Sequence, residues 1–315
     1  MTTPIIEVEH LSKSFGEVQA LQDVTFSVPQ GTVLGLLGHN GAGKTTLINI
    51  LSTLLPPSSG TARVAGFDVS SQGNEVRSRI GLTGQFASVD EQLSGFDNLL
   101  LIGRLLGASR RQARQRAEEL LELFSLTKAA RRPARTYSGG MRRRLDLAAS
   151  LVGRPNVVFL DEPTTGLDPV SRMDMWQIVE SMVAQGTTVL LTTQYLEEAD
   201  RLADSITVLS AGQVIAAGTS EELKSRVGQR TITATFRRPS EAQRAAEQLR
   251  KAGMEVTRDE QQAAVTIPVA RARELADVVR VLDAADVEAD DLTLREPTLD
   301  DVYLALTHRT PASTN

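Results

Sequence analysis

The chain has 315 residues, 41% of them hydrophobic, so it is long enough for two domains that each bury a core. Its formal net charge of −5 gives no overall basic field, which argues against nucleic acid as a partner. The sequence contains no cysteine, which excludes disulfides, thiolate metal sites and cysteine nucleophiles.

The N-terminal residues and the apolar runs show no membrane-targeting pattern. Residues 1–10 carry two glutamates and lack the basic and apolar regions of a signal peptide. The longest apolar run, residues 99–106, is interrupted by Arg104, whereas a span needs about 20 apolar residues. We therefore expect that any bilayer segment with which this protein works belongs to another chain.

The first two thirds of the chain alternates strand and helix patterns. Short apolar runs predict strands at 5–9, 23–28, 32–37, 61–64, 80–83, 157–160 and 188–192. Helical patterns cover 44–55, the region from 97 to about 153, and 169–184. A closing hairpin is predicted at 205–209 and 213–217, with its turn at Ala211 and Gly212. This alternation predicts an α/β core with a mostly parallel sheet.

The pattern changes near residue 228. Strands are predicted at 231–236, 264–268 and 287–295, and helices at 240–252, 270–285 and 299–306. Two strand–helix–strand passages predict a small α+β domain of split βαβ type. We therefore expect a first domain over 1–228 with a helical subdomain at 97–153, an accessory domain over 229–308, and a tail at 309–315.

A glycine-rich loop follows the third predicted strand and precedes a helix. Residues 38–45 fit the pattern G-x-x-x-x-G-K-[ST], in which glycines let backbone N–H groups converge on phosphate oxygens. Lys44 is expected to reach the β- and γ-phosphates, and Thr45 to offer its hydroxyl to Mg²⁺. The predicted phosphate-binding residues are Gly38, His39, Asn40, Gly41, Ala42, Gly43, Lys44, Thr45 and Thr46.

An acidic pair ends the apolar run at 157–160. Asp161 would lie at the carboxyl edge of a buried strand, where it is expected to hold Mg²⁺, chiefly through water. Glu162 is expected to orient or deprotonate an attacking water. Taken alone, the pair could equally be an acidic helix start before Pro163; its position after the glycine loop favours the catalytic interpretation.

Four further segments, together with the loop and the acidic pair, resemble the nucleotide-binding domain of ABC (ATP-binding cassette) proteins. Residues 137–141, Tyr-Ser-Gly-Gly-Met, resemble the signature loop, usually Leu-Ser-Gly-Gly-Gln; Gln85 resembles the Q-loop, and residues 165–168 resemble the D-loop. Phe15 stands where the family places an aromatic ring against adenine, although it could also be a core residue. The resemblance implies a P-loop NTPase fold that binds ATP and Mg²⁺, with Gln85 serving the metal and catalysis and Asp168 serving the nucleotide.

The signature segment contains the elements of an anion site. A hydroxyl at Ser138, bare amides at Gly139 and Gly140 and a helix N-terminus all favour negative charge. In isolation, the same residues could be only a helix N-cap and turn. The resemblance implies that this site binds the γ-phosphate held by the opposite subunit. One chain would then not close its own site, and a head-to-tail homodimer is the expected solution.

Gln194 departs from the family pattern, in which histidine contacts the γ-phosphate and helps to hold the attacking water. Glutamine donates an amide hydrogen bond but cannot become cationic. We therefore expect a slower ATPase dominated by binding, unless Gln194 substitutes adequately.

The segments 192–200 and 299–304 resemble ATP-binding subunits of the daunorubicin-resistance type. The resemblance implies an ATP-hydrolysing exporter subunit, peripheral on the cytoplasmic face of the membrane, that drives a separately encoded permease. The cargo would be an amphipathic drug, antibiotic or lipid-like compound. An ATP-gated dimerisation switch with negligible turnover is the alternative, and a soluble ABC protein of translation or DNA repair is disfavoured. Residues 299–306 could also be only an amphipathic closing helix.

Overall fold

The computed structural model describes residues 4–84, 89–227, 230–259 and 263–308. The chain forms two compact units, divided between Ser220 and Glu221. We call them unit 1 and unit 2. The boundary expected from the sequence at residue 228 lies just after the helix that begins at Ser220. Within the described ranges, no helix has both the length and the apolar character needed to cross a bilayer.

The described residues of unit 1 form ten strands in two sheets. The strands are β1 Pro4–Phe15, β2 Val18–Pro29, β3 Val33–Leu37, β4 Ser59–Val64, β5 Phe67–Asp68, β6 Ile80–Thr83, β7 Val157–Asp161, β8 Thr188–Thr193, β9 Ser205–Ser210 and β10 Gln213–Gly218. Six strands form a sheet in the order β10-β9-β3-β8-β7-β6, and the other four form an antiparallel sheet, β2-β1-β4-β5.

The six-stranded sheet confirms the predicted mostly parallel core. Every neighbouring pair is parallel except β9 and β10, which form the predicted hairpin. That hairpin turns at Ala211 and Gly212, both with positive φ, as a tight antiparallel connection requires. Successive residues of β7 pack into different cores: Val157 and Phe159 lie in one, Val158 and Leu160 in the other. The sheet is therefore buried on both faces, which explains its continuous apolar runs.

Several helices of unit 1 begin after a residue whose side chain caps them. They are α1 Lys44–Leu51, α2 Gly73–Arg77, α3 Gly95–Leu105, α4 Arg110–Leu123, α5 Gly139–Ser150, α6 Pro169–Ala184 and α7 Leu196–Leu202, with α8 Ser220–Val227 at the boundary. In the predicted helical region, Ser94, Ser109 and Ser138 each accept a backbone N–H and so cap α3, α4 and α5.

Helix α1 ends earlier than the predicted limit at residue 55. Thr53 has a φ of +65°, and the N–H of Leu54 donates to the Asn49 carbonyl at 2.8 Å. A left-handed residue followed by such a bond is the Schellman ending of a helix. The helix therefore closes before Pro56 could interrupt it.

Unit 2 has a four-stranded antiparallel sheet in the order β12-β13-β11-β14. Its elements are β11 Arg230–Thr235, α9 Pro239–Lys251, β12 Thr257–Asp259, β13 Ala264–Val269, α10 Glu274–Ala284, β14 Asp291–Arg295 and α11 Leu299–His308. Strand β13 lies between β11 and β12, which are joined through α9, so the arrangement is a split βαβ unit.

The element limits predicted for unit 2 were partly wrong. Strand β12 was not predicted, and β14 begins at Asp291 rather than at residue 287. The N–H of Val287 donates to the Leu282 carbonyl at 3.1 Å, which closes helix α10 and removes this residue from the sheet. Helix α10 itself begins at Glu274 rather than at residue 270, after turn residues whose N–H groups at Ala270 and Arg271 donate to the Glu274 carboxylate.

Candidate functional site

The glycine loop lies between β3 and α1, as its sequence pattern predicts. A Cβ on Gly38 would lie 2.5 Å from the Leu209 carbonyl oxygen, and one on Gly43 would lie 2.7 Å from that of Ala20. Gly43 also has a φ of +106°, which favours glycine. The loop backbone is therefore packed directly on neighbouring strands, and both positions exclude a side chain.

Lys44 holds a buried positive charge inside the loop. The residue is only 5% exposed, and its Nζ donates to the carbonyl oxygens of Gly38 at 2.7 Å and His39 at 3.3 Å. The same Nζ lies 3.6 Å from Oε1 of Glu162. The loop lysine and the acidic residue after β7 thus face each other across one small space.

Asp161 is buried at the end of β7 and is held by two hydroxyls. Thr192 Oγ1 donates to its Oδ1 at 2.6 Å, and Thr45 Oγ1 donates to its Oδ2 at 3.1 Å. A carboxylate beside a hydroxyl is a hard oxygen donor set of the kind that Mg²⁺ prefers. The residues present therefore fit the metal role predicted for Thr45 and Asp161.

Glu162 has a strained backbone that is tied to β8. Its φ is +50°, a left-handed value that costs a non-glycine residue about 1–3 kcal/mol. Its N–H donates to Thr192, at 3.0 Å to Oγ1 and at 3.1 Å to the carbonyl oxygen. Thr165 Oγ1 donates to its carboxylate at 3.3 Å. Thr192 therefore fixes both acidic residues, a role that the sequence analysis missed.

Arg143 on helix α5 also contacts residues 161–163, which we call the acidic segment. Its guanidinium donates to the carbonyl oxygens of Asp161, Glu162 and Pro163. In the sequence it was only one of three successive arginines after the signature glycines. Nothing in the local pattern distinguishes it from its neighbours, since its partners lie far along the chain.

The signature residues lie at the start of α5. Ser138 accepts the N–H of Met141 at 3.2 Å, so the N-cap considered as an alternative is present. Ser138 and Gly139 are also exposed. A Cβ on Gly140 would lie 2.7 Å from Ser171 Oγ, which donates to Asp168 at 2.7 Å. The predicted D-loop residue and the signature glycines therefore adjoin each other within one chain.

Tyr137 replaces the family's leucine without loss of packing. Its ring is buried, and its hydroxyl donates to the Ala129 carbonyl at 2.7 Å. A Cβ on Gly95 would lie 2.4 Å from that hydroxyl oxygen, so the glycine provides the space that the larger side chain needs. Tyr137 and Gly95 are therefore complementary in size within the core.

Two further predicted residues, Gln194 and Phe15, are exposed. Gln194 is exposed just beyond β8, in which Thr192 pairs in register with Asp161. Phe15 is 47% exposed at the end of β1, so it is not a core residue. Lys13 Nζ lies 5.1 Å from the centroid of the Phe15 ring. Gln85 lies outside the described residues.

A second buried carboxyl supports the segment that follows Gln194. Glu198 on α7 is 1% exposed and accepts the indole N–H of Trp176, on α6, at 3.1 Å. Burial raises the pKa of the Glu198 carboxyl, and the Trp176 hydrogen bond is among the contacts that oppose that rise. This pair joins α6 to α7, and no sequence pattern indicated it.

These features define a P-loop nucleotide-binding fold: a glycine loop between strand and helix, and an acidic pair at the end of a parallel strand. The family model described as "ABC transporter" matches residues 21–165. The daunorubicin resistance ATP-binding protein DrrA3 of Streptomyces coeruleorubidus is 52% identical over 308 residues, which are 98% of this chain and 97% of the relative. The chain therefore belongs to the ABC transporter family.

Two further comparisons agree with this assignment. The daunorubicin/doxorubicin resistance ATP-binding protein DrrA of Streptomyces peucetius is 48% identical over 97% of this chain and 93% of its own length. A crystal structure of the ADP conformation of an ATP-binding cassette of an ABC transporter matches with a TM-score of 0.65 and 28% identity. That match covers 70% of this chain and 93% of the cassette.

Proposed function

We propose that this protein is the ATP-hydrolysing subunit of an ABC exporter. The observation that carries the proposal is the 3.6 Å separation between Lys44 Nζ and the Glu162 carboxylate. It supports the proposal because Glu162, acting as a general base, would then lie beside the residue expected to hold the terminal phosphates. A protein that only bound nucleotide would not need a carboxylate at this point.

The chain's own residues have separate parts in the proposed reaction. Lys44 and the loop N–H groups hold the β- and γ-phosphates, and Thr45 and Asp161 hold Mg²⁺, which neutralises developing charge when bound. Glu162 orients the attacking water and accepts its proton, a contribution typically of about 10²–10⁴ in rate. Gln85 and Gln194 assist at the metal and the γ-phosphate, and Phe15 stacks on the adenine.

The proposed active form is a homodimer around two ATP molecules. Ser138 and Gly139 are exposed and lie at a helix N-terminus, so they can receive a phosphate from a second copy. Asp168, whose pKa is lowered by the N–H of Ser171, remains an anion at the same surface. Each chain would then complete the site of the other, and hydrolysis would reopen the pair.

The proposed assembly includes a separately encoded membrane permease, with this subunit on its cytoplasmic face. Support comes from relatives named for daunorubicin resistance that match nearly the whole chain. The proposed cargo is an amphipathic drug, antibiotic or lipid-like compound. A nucleotide-gated dimerisation switch with negligible turnover is the competing function, and the glutamine at position 194 favours it.

Phosphate release from the full-length chain with Mg·ATP distinguishes a motor from a switch. The Glu162→Gln variant should lose about 10²–10⁴ of the rate, because an amide cannot accept the proton, while ATP affinity is retained. Glu197→Gln, the same change at an exposed residue of α7, is the matched control and should keep the wild-type rate. Equal, near-zero rates in wild type and Glu162→Gln would favour the switch.

A further inference from the structure

Arg143 is a partly buried arginine that contacts four backbone carbonyls. Its Nε donates to the Pro163 carbonyl at 2.7 Å, and its Nη1 donates to the Gly84 carbonyl at 3.1 Å. Its Nη2 donates to the carbonyls of Glu162 at 2.8 Å and Asp161 at 3.2 Å. The charged, planar guanidinium forms strong and directional hydrogen bonds to these four carbonyl oxygens. These bonds fix the orientation of peptide groups rather than of side chains.

These contacts complete a clamp around the strained Glu162. Thr192 holds the N–H of Glu162 from strand β8, and Arg143 holds its carbonyl from helix α5. A left-handed non-glycine residue persists only where surrounding contacts determine it. The N–H and the carbonyl of Glu162 are both held by such contacts. The backbone fixed by these contacts sets the direction of the Glu162 carboxylate.

The guanidinium of Arg143 keeps its positive charge although the residue is partly buried. Burial lowers the pKa of the Arg143 guanidinium, and the nearby carboxylates of Asp146, Asp161, Glu198 and Glu162 oppose that shift. A guanidinium stays protonated in proteins at neutral pH. All of its donors therefore remain available to the four carbonyls.

We propose that Arg143 is a positioning residue that holds Glu162 in its catalytic orientation and ties it to helix α5 and to Gly84. The inference rests on the proposed hydrolytic function. Ser138 is the N-cap of helix α5. A movement of the signature segment would therefore be transmitted to Glu162 through the Arg143 side chain, which lies on the same helix. The same side chain also holds the carbonyl of Gly84, the residue that precedes Gln85 in sequence.

Arg143→Met and Arg143→Lys in the full-length chain test this inference. Methionine keeps the length but has no donors, whereas lysine keeps the charge and can reach only some of the carbonyls. The matched control is Arg116→Met, because Arg116 Nη2 donates at 2.8 Å to the Leu151 carbonyl at the opposite end of α5. Its loss weakens the same helix without touching the acidic segment. The measurements are kcat, KM and ATP affinity, together with thermal unfolding.

We expect Arg143→Met to lower kcat about 10- to 100-fold, the size of effect that a misplaced catalytic group produces, with ATP affinity nearly unchanged. Arg143→Lys should fall between methionine and wild type, and Arg116→Met should keep kcat. A folded Arg143→Met with wild-type kcat overturns the inference, as does a loss of affinity and stability that Arg116→Met reproduces. If the methionine variant does not fold, kcat of Arg143→Lys decides in the same way.

The two proposals fail differently. If the wild-type chain itself releases no more phosphate than Glu162→Gln, the proposed function fails, and the role of Arg143 falls with it. If the wild-type chain hydrolyses ATP, Glu162→Gln does not, and the Arg143 variants keep the wild-type kcat, the hydrolytic function stands. The positioning role of Arg143 is then wrong.

Discussion

Units 1 and 2 differ in what their interiors contain. Among the described residues, every buried polar or charged side chain lies in unit 1, between Lys44 and Thr207. The buried cluster of unit 2 consists of alanine, valine, leucine, isoleucine and phenylalanine. Burying a polar group costs free energy unless a partner satisfies it, so a buried polar group is normally held by hydrogen bonds.

Among the described residues, the buried polar network that includes Asp161 therefore lies in unit 1, whereas the buried cluster of unit 2 is apolar. In unit 1, the buried groups Asp161 and Thr192 are bonded to each other, and Glu198 is bonded to Trp176. In unit 2, the polar pair Thr298 and Asp301 lies near the surface, where it caps α11. Changes at the buried polar groups around Asp161 in unit 1 should therefore alter turnover, and changes in unit 2 should alter stability.

Gln194→His, in unit 1, is expected to affect turnover more strongly than the change in unit 2 described below. Histidine can become cationic and contact the γ-phosphate, so the steady-state rate of phosphate release should rise several-fold. Gln185→His, at an exposed glutamine that ends α6, is the control and should leave the rate unchanged. An unchanged or lower rate in Gln194→His would show that glutamine already suffices at this position.

Asp301→Ala should destabilise unit 2 by about 1 kcal/mol, because it removes one half of the capping box at the start of α11. Turnover of the isolated chain should stay at the wild-type value. Trp176 is the only tryptophan and lies in unit 1, so its fluorescence follows that unit while circular dichroism follows both. Asp300→Ala, at the exposed neighbour, is the control. A shifted Trp176 transition or a lower rate would break the comparison.

The pH dependence of that destabilisation follows from the Asp301 carboxyl. Hydrogen bonding by the Thr298 N–H lowers its pKa below the usual value of 3.8. A depressed pKa in the folded state stabilises the fold above the unfolded pKa, and that stabilisation is lost as pH falls through the folded pKa. The difference between wild type and Asp301→Ala should be constant from pH 7 to pH 5 and should shrink only below about pH 3.8.

The parts of the fold that local patterns encode could be predicted. Buried strands such as β3 and β7 appear as apolar runs, and the glycine loop is contiguous in sequence, so its strand–loop–helix setting followed directly. The three-residue strand β12 has no apolar alternation and was missed. The separation of unit 1 into two sheets depends on long-range pairing, which periodicity does not report.

The site divides in the same way. Lys44, Thr45 and Asp161 belong to recognisable motifs, and the structure brings them together. Thr192 and Arg143 contact groups that lie far away in sequence, and such contacts leave no local signature. The assigned site roles and the domain limits remain predictions, and Gln85 lies outside the described residues.

The central claim is that two copies of this chain close around two ATP molecules. Light scattering on full-length Glu162→Gln tests it most directly, because blocked hydrolysis should trap the closed form. We expect Glu162→Gln to be a dimer with saturating Mg·ATP and a monomer when nucleotide is omitted. A chain that stays monomeric with Mg·ATP, even when the proposed permease is supplied, would contradict the proposed dimer.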